Sequence, residues 1–408
     1  MKSASAYPSG HQTDIDRHVA ALGESVILNS KAARTAFLAL FSAAALVSLA
    51  TGVHHAILYR CHDLQWAGAE LVRQHIDPWA EELNHFPHHY PHFVTPNYLH
   101  LLYVVLLPLG AIRFDLALLV WTGVSIILSI VCVVMLGRLF QLSRAQTLFA
   151  LALLWMSPPF RVVLEVGQMS FFELFFFTGA YLAASTALGG LSFGFSLAKY
   201  SFSPVAVILF LLRRRFRFLL FAAIIPTAGL LIVWLLVHTP LPKLLFEPLA
   251  VSAGPTAVSP GFADMMTLAE QSLKSSLADI RARQVAYALA LVGSTAYSLY
   301  LSRYRLSRGE ELTLVSLASL FFLKHLTYDY VFLVIPLCFA LAQTKRAHKF
   351  ALTGAVVVFW FVLTIFDRRT QNDSFVHVGL LAANCGLLAI FLVYTTRLAV
   401  SHSAERAS

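Results

Sequence analysis

Charge is what this 408-residue chain has least of: Asp, Glu, Lys and Arg together make up 12% of it, about half the share expected of a soluble domain. With 58% hydrophobic residues and repeated apolar runs of about twenty residues, the expected solvent is lipid. No polar interval is long enough to build a core of its own, so a hidden soluble domain is excluded. Cysteine is scarce as well. Cys132, Cys338 and Cys385 fall inside apolar runs and Cys61 stands alone in a polar stretch, which excludes a disulfide framework and a thiolate metal site. Paired sequence halves are also lacking, and with them the usual internal repeat of a transporter.

A net charge of +9 would suit nucleic acid, but the basic residues come in short clusters beside apolar runs. That is the pattern of topology signals, and a nucleic-acid partner is excluded on it. Residues 1–32 are polar and carry acids, unlike the short basic head of a cleavable signal. The first apolar run, about 36–58, is therefore expected to remain as an anchor, with the tail 1–35 cytoplasmic because Lys31 and Arg34 precede the run.

The basic clusters order the rest of the chain. Keeping Arg138 and Arg144 inside requires the short run 98–112 to be re-entrant or interfacial, and keeping Arg213, Arg214, Arg215 and Arg217 inside requires 189–212 to be two short helices hinged at Lys199-Tyr200-Ser201. Further inside signals are Arg303, Arg305 and Arg308, then Lys345, Arg346 and Lys349. The expected fold is an all-α polytopic membrane protein of about twelve helices. One transmembrane domain spans 36–396, with outer loops at about 54–97 and 239–283 and a cytoplasmic tail at 397–408.

What polarity there is concentrates in the interval 54–100, which holds nine of the sixteen histidines. After Asp63, residues Leu64, Ala67, Gly68, Leu71, Val72 and Ile76 recur at helical spacing, opposite Gln65, Glu70, Arg73 and Gln74. This predicts an interfacial amphipathic helix ended by Asp77-Pro78. Asp63 reads as its N-cap or as a catalytic base, and the two roles are compatible. His85, His88, His89 and His92 are interrupted by Pro87 and Pro91 and have no carboxylate partner, so no metal is expected there. The outer inventory also holds Arg161, Glu165, Gln168, Lys199, Glu270, Gln271, Ser272, Lys324, His325 and Asp329. Among these Lys199 stands out, because an ionisable group between apolar segments is costly unless it faces water or a partner.

The order of these elements resembles glycosyltransferase family 87 over about residues 36–340. An Asp follows the first span (HDLQWAGAELVRQHIDPW), an aromatic-proline segment precedes a short apolar run (HHYPHFVTPNYLHLLYVVLLPLG), and a Gly-Gln follows the third span (EVGQMSFFELF). A small-residue run then leads into lysine (GGLSFGFSLAKYSFSP), followed by a basic stop (LLRRRFR). LAEQSLKSSL and HLTYDY resemble later family elements, with Glu270 where asparagine is usual; Tyr90-Pro91-His92 departs from the usual tyrosine-proline-proline.

The resemblance implies a GT-C-like helical bundle in the inner membrane, its site facing the exterior or periplasm. It implies an inverting transfer of a hexose, mannose in the family, from a polyprenyl-phosphate donor to a glycan or glycolipid acceptor; no cofactor is expected from the residues, with a divalent cation left open. Asp63 matches the family's base. Gln168, Lys199, Gln271, Ser272 and His325 match positions near donor or acceptor. The donor phosphate is expected at Lys199 with Arg161, His325 and Arg73, and substrate at Gln168, Tyr90, Gln271, Ser272 and Asp329. Nucleotide sugars are absent outside the cytoplasm, so a lipid-linked sugar is the available donor; a phosphate leaving group needs cations and no general acid. The rival reading is a lipid or small-solute transporter or flippase, which many spans and broken helices would also serve.

Overall fold

The computed structural model describes residues 31–58, 65–84, 95–96, 98–184, 186–253, 263–274, 276–363 and 374–406. Among them the chain is helical throughout and holds no β-strand. The described α-helices are α1 (Lys31–Leu58), α2 (Trp66–Arg73), α3 (Pro78–Leu83), α4 (His100–Gly110), α5 (Phe114–Leu139), α6 (Arg144–Met156), α7 (Pro158–Val166), α8 (Ser170–Leu182) and α9 (Ala187–Ser196). They continue with α10 (Pro204–Leu212), α11 (Phe216–Val237), α12 (Leu241–Ala253), α13 (Met265–Leu273), α14 (Asp279–Ser302), α15 (Arg308–Phe322), α16 (Val334–Leu341), α17 (Arg346–Val357) and α18 (Ser374–Glu405). A 3-10 turn, Thr327–Leu333, leads into α16. The chain is an all-α polytopic membrane protein.

Among the described residues, five helices are long and apolar enough to cross a membrane: α1, α5, α11, α14 and α18. Several of the remaining apolar segments are shorter than the roughly twenty residues a bilayer needs. The apolar run over about 147–163 is divided between two helices, α6 and α7, bent by 61°. The cause is local. Ser157 is extended (φ −69°, ψ 141°), its side chain accepts from Phe160 N, and Pro158 starts α7 where a missing N–H costs nothing. The run 189–212 is likewise two short helices, with the turn 197–203 carrying Lys199 between them.

Small residues permit the tightest packing. A Cβ on Gly190 of α9 would lie 2.6 Å from Phe218 O of α11, and one on Gly194 would collide with Ala222 O, so these two helices touch backbone to backbone. In the same way α2 lies on α4: a Cβ at Gly68 would meet the Tyr103 ring at 2.5 Å, and one at Gly110 would meet Glu70 N at 2.7 Å.

The first loop differs in detail from its predicted helix. α2 stops at Arg73, and His75 takes a left-handed conformation (φ 63°). Asp77 then caps the next helix, accepting from Trp79 N and Ala80 N, with Pro78 at its first position. Asp77-Pro78 thus begins a helix as much as it ends one. Gln65, expected on the polar face, is buried and accepts from Tyr103 Oη at 2.9 Å.

Candidate active site

Three breaks in helical structure build the site. The first is the turn between α9 and α10. Leu99 N donates to Ala198 O at 3.0 Å, which ties the start of α4 to the lysine turn and sets Lys199 Nζ 5.8 Å from the Tyr98 ring centre. The second is the end of α7, where Gly167 adopts φ 67° and the N–H of Gln168 returns to Val163 O at 3.0 Å. This helix-ending turn requires glycine, and it sends Gln168 inward, where its Oε1 accepts from Tyr98 Oη at 2.6 Å. The third is the turn from Lys324 to Asp329 after α15.

At their meeting point Lys199 Nζ donates to Asp329 Oδ1 in a buried ion pair. Asp329 has further partners: Ser170 Oγ donates to Oδ1 at 3.2 Å, His325 Nδ1 lies 3.2 Å from Oδ2, and Leu326 N donates to Oδ2 at 3.3 Å. Burial opposes ionisation of Asp329, but Lys199 and then His325 outweigh it and hold the carboxyl at about 2. The other ring nitrogen of His325 lies 3.4 Å from Ser319 Oγ. His325 is thus a clamp behind Asp329, away from the open cavity. Lys199 also lies 4.9 Å above the Tyr328 ring.

In front of the ion pair is a cavity of 460 Å³. Lys199, Tyr98, Tyr328 and Asp329 form one end of it, and Glu270, Arg283 and Lys324 another. Glu270 of α13 is buried and meets Arg283 and Lys274, each at 3.4 Å. Burial lowers the Lys324 ammonium from its ordinary value. Behind it, Asp264 caps α13 through Thr267 N, and burial raises its carboxyl to about 6. Part of the remaining wall is apolar: Tyr287, Ala288 and Leu291 of α14 line the cavity, and they belong to a helix long and apolar enough to cross a membrane. One chamber therefore joins fixed charges to an apolar wall.

The expected residues fall into three groups. Lys199, His325 and Asp329 come together, with Gln168 one layer behind through Tyr98. Arg73, Arg161, Gln271 and Ser272 do not line the cavity. Arg73 bonds Glu70 at 2.7 Å, Arg161 packs by Gly52 of α1, and Ser272 bonds Leu268 O of its own helix at 2.8 Å. Asp63 and Tyr90 lie outside the described residues. Among these residues no group of three or more His, Cys, Asp or Glu is placed to hold a metal.

Sequence reasoning passed over Arg283, whose signal was its place one turn into an apolar helix facing an acidic neighbour. It also passed over Glu173 of α8, buried with neither carboxyl oxygen hydrogen-bonded among the described residues.

The sequence model of glycosyltransferase family 87 matches residues 101–336, a range that holds every charged residue of this cavity. No curated protein and no solved structure matches the chain.

Proposed function

The chain belongs to glycosyltransferase family 87, and from that premise we propose that it transfers a hexose, mannose being the expected one, from a polyprenyl-phosphate donor to an extracytoplasmic glycan or glycolipid. The observation that carries this reading is the chamber itself. An isoprenoid phosphate needs an apolar path for its tail and cations for its head, and Tyr287 and Leu291 line the same cavity as Lys199, Arg283 and Lys324. A soluble nucleotide sugar has no use for an apolar wall supplied by a helix long enough to cross a membrane.

In this reading Asp63 removes the proton of the acceptor hydroxyl as it attacks the anomeric carbon, and the lipid phosphate leaves in one displacement with inversion. The phosphate oxygens take up negative charge as the bond breaks. Lys324, whose ammonium burial holds below its ordinary value, gains most from meeting them, because a cation short of water is stabilised by an incoming anion. Lys199 and Arg283 add to the field but already answer Asp329 and Glu270, and His325 acts through Asp329 as a positioning residue. Gln168 holds Tyr98 against the sugar side. Gln271 and Ser272, outside the chamber, are left for the acceptor on the loop side.

Membranes containing the protein should move labelled mannose from polyprenyl-phosphate-mannose onto an endogenous lipid or glycan. Asp63→Asn should lower this at least about 100-fold at unchanged protein level. Transfer retained in that variant removes Asp63 as the base, and substrate counterflow without transfer returns the transporter reading.

A further inference from the structure

A second cavity, of 910 Å³, lies at the other end of the helices that carry the active site, lined by Arg214, Arg215, Arg217, Arg308, Thr186 and Phe221 among others, with no acid in its wall. A cluster of arginines at a membrane edge is usually a topology signal and nothing more. Three observations set this one apart.

First, the acids nearby are already taken. Glu311 is held by Arg213 and Arg215, and Glu310 by Arg406 and His402, so among the described residues Arg214, Arg217 and Arg308 have no carboxylate partner. Second, the arginines converge from separate parts of the chain and are held in place. Arg214 sits in a left-handed turn (φ 55°) whose N–H bonds Leu211 O at 3.0 Å, and Arg308 Nη1 donates to Leu182 O at 3.0 Å. The uncapped start of α11 opens on the same cavity, adding amide donors and a positive dipole end. Third, apolar surface adjoins it: Phe216 of α11 lines the cavity and is 59% exposed, and Leu188 of α9 and Leu220 of α11, on the two helices that border it, are 68% and 66% exposed.

We propose that this arginine pocket binds the phosphate of an anionic phospholipid of the cytoplasmic leaflet, with the acyl chains lying along Phe216 and Leu220 of α11. A phosphate diester supplies the missing anion, and its tails cover the apolar rim. A free phosphate would satisfy only the arginines.

The full chain, purified in detergent and titrated with phosphatidylglycerol or phosphatidylcholine, tests this by native mass spectrometry. Phosphatidylglycerol should be retained in preference, and the Arg214→Gln/Arg217→Gln variant should lose about fivefold in retention per arginine. Both side chains are exposed, so the variant should keep the wild-type melting temperature, and Arg217→Lys should recover part of the binding. Arg303→Gln/Arg305→Gln removes equal charge beside the pocket and should leave retention unchanged. An equal loss in that control overturns the proposal in favour of diffuse surface charge. Displacement by millimolar inorganic phosphate overturns it in favour of a soluble anion, and unchanged retention in Arg214→Gln/Arg217→Gln overturns it outright. Sugar transfer is not the readout, so the outcome is independent of the proposed reaction.

Discussion

Helices α10, α14 and α15 each join two charged regions that are built on opposite principles. At the chamber end the cations Lys199, Lys274, Arg283 and Lys324 stand among the carboxylates Asp264, Glu270 and Asp329, and the three carboxylates are buried. At the arginine end the two acids, Glu310 and Glu311, are buried as well, but Arg213, Arg214, Arg215, Arg217 and Arg308, all exposed or half-buried, outnumber them. Excess charge of one sign tells the chain which way to sit in a bilayer. Balanced, buried charge is costly and says nothing about orientation, so its presence calls for another reason, and a reaction that develops negative charge supplies one.

The sharpest way to break this contrast is to remove one cation from each end. Lys199→Met leaves Asp329 buried without its partner. It should destabilise the protein by about 3–5 kcal/mol and abolish transfer, while Lys199→Met/Asp329→Leu should recover thermal stability but not activity. Arg214→Gln should stay within about 0.5 kcal/mol of wild type, as a surface substitution does. Equal losses in a melting assay would mean that the two ends are not different in kind.

A smaller effect tests whether the scaffold between the ends is as tight as its glycines imply. Gly194→Ala drives a methyl into Ala222 O, and forcing α9 off α11 should cost about 1–3 kcal/mol. Because α9 leads directly into the Lys199 turn, transfer should fall with it. Gly354→Ala, which meets nothing within 4 Å, is the matching control and should not destabilise.

The smallest effect concerns how α12, whose Ser252 lines the chamber, docks beside α3. Glu247 of α12 is buried and lies by Asp77, the cap of α3, whose Oδ2 accepts from Thr239 Oγ1 at 2.6 Å. Burial, then the neighbouring Asp77 charge, raises the Glu247 carboxyl from 4.5 to about 7. The docked state therefore holds the proton more tightly than the undocked one. Docking of α12 is strongest below pH 4.5 and weakens as pH rises from there through about 7. Hydrogen exchange of α12 amides, corrected for intrinsic rates, should quicken across that window, and Glu247→Gln should flatten the dependence. An unchanged profile in that variant assigns the effect to another group.

The fold was legible wherever a local rule decides it. The hinge at Lys199 followed from the need to keep Arg213–Arg217 on one side, and the structure has a turn there. Ser157-Pro158-Pro159 carried a readable break that the apolar run around it concealed, because hydropathy averages over a cap and a proline pair. Gln65 was misplaced for a different reason: helical spacing gives a face but not its surroundings, and Tyr103 of α4 turned that face inward. At the candidate site Gly167-Gln168 was legible as a motif. Its mechanism, a left-handed turn that aims Gln168 at Tyr98, was not.

By itself the sequence determined the solvent and the helical class, since these depend on composition and on runs of adjacent residues. Only the tertiary structure decided that Lys199 meets Asp329 across 130 positions, that Arg283 and Lys324 share its chamber, and that Arg73 and Arg161 do not. The energy that fixes those pairs is the cost of a buried charge without a partner, and which partner it finds is a property of packing between distant helices.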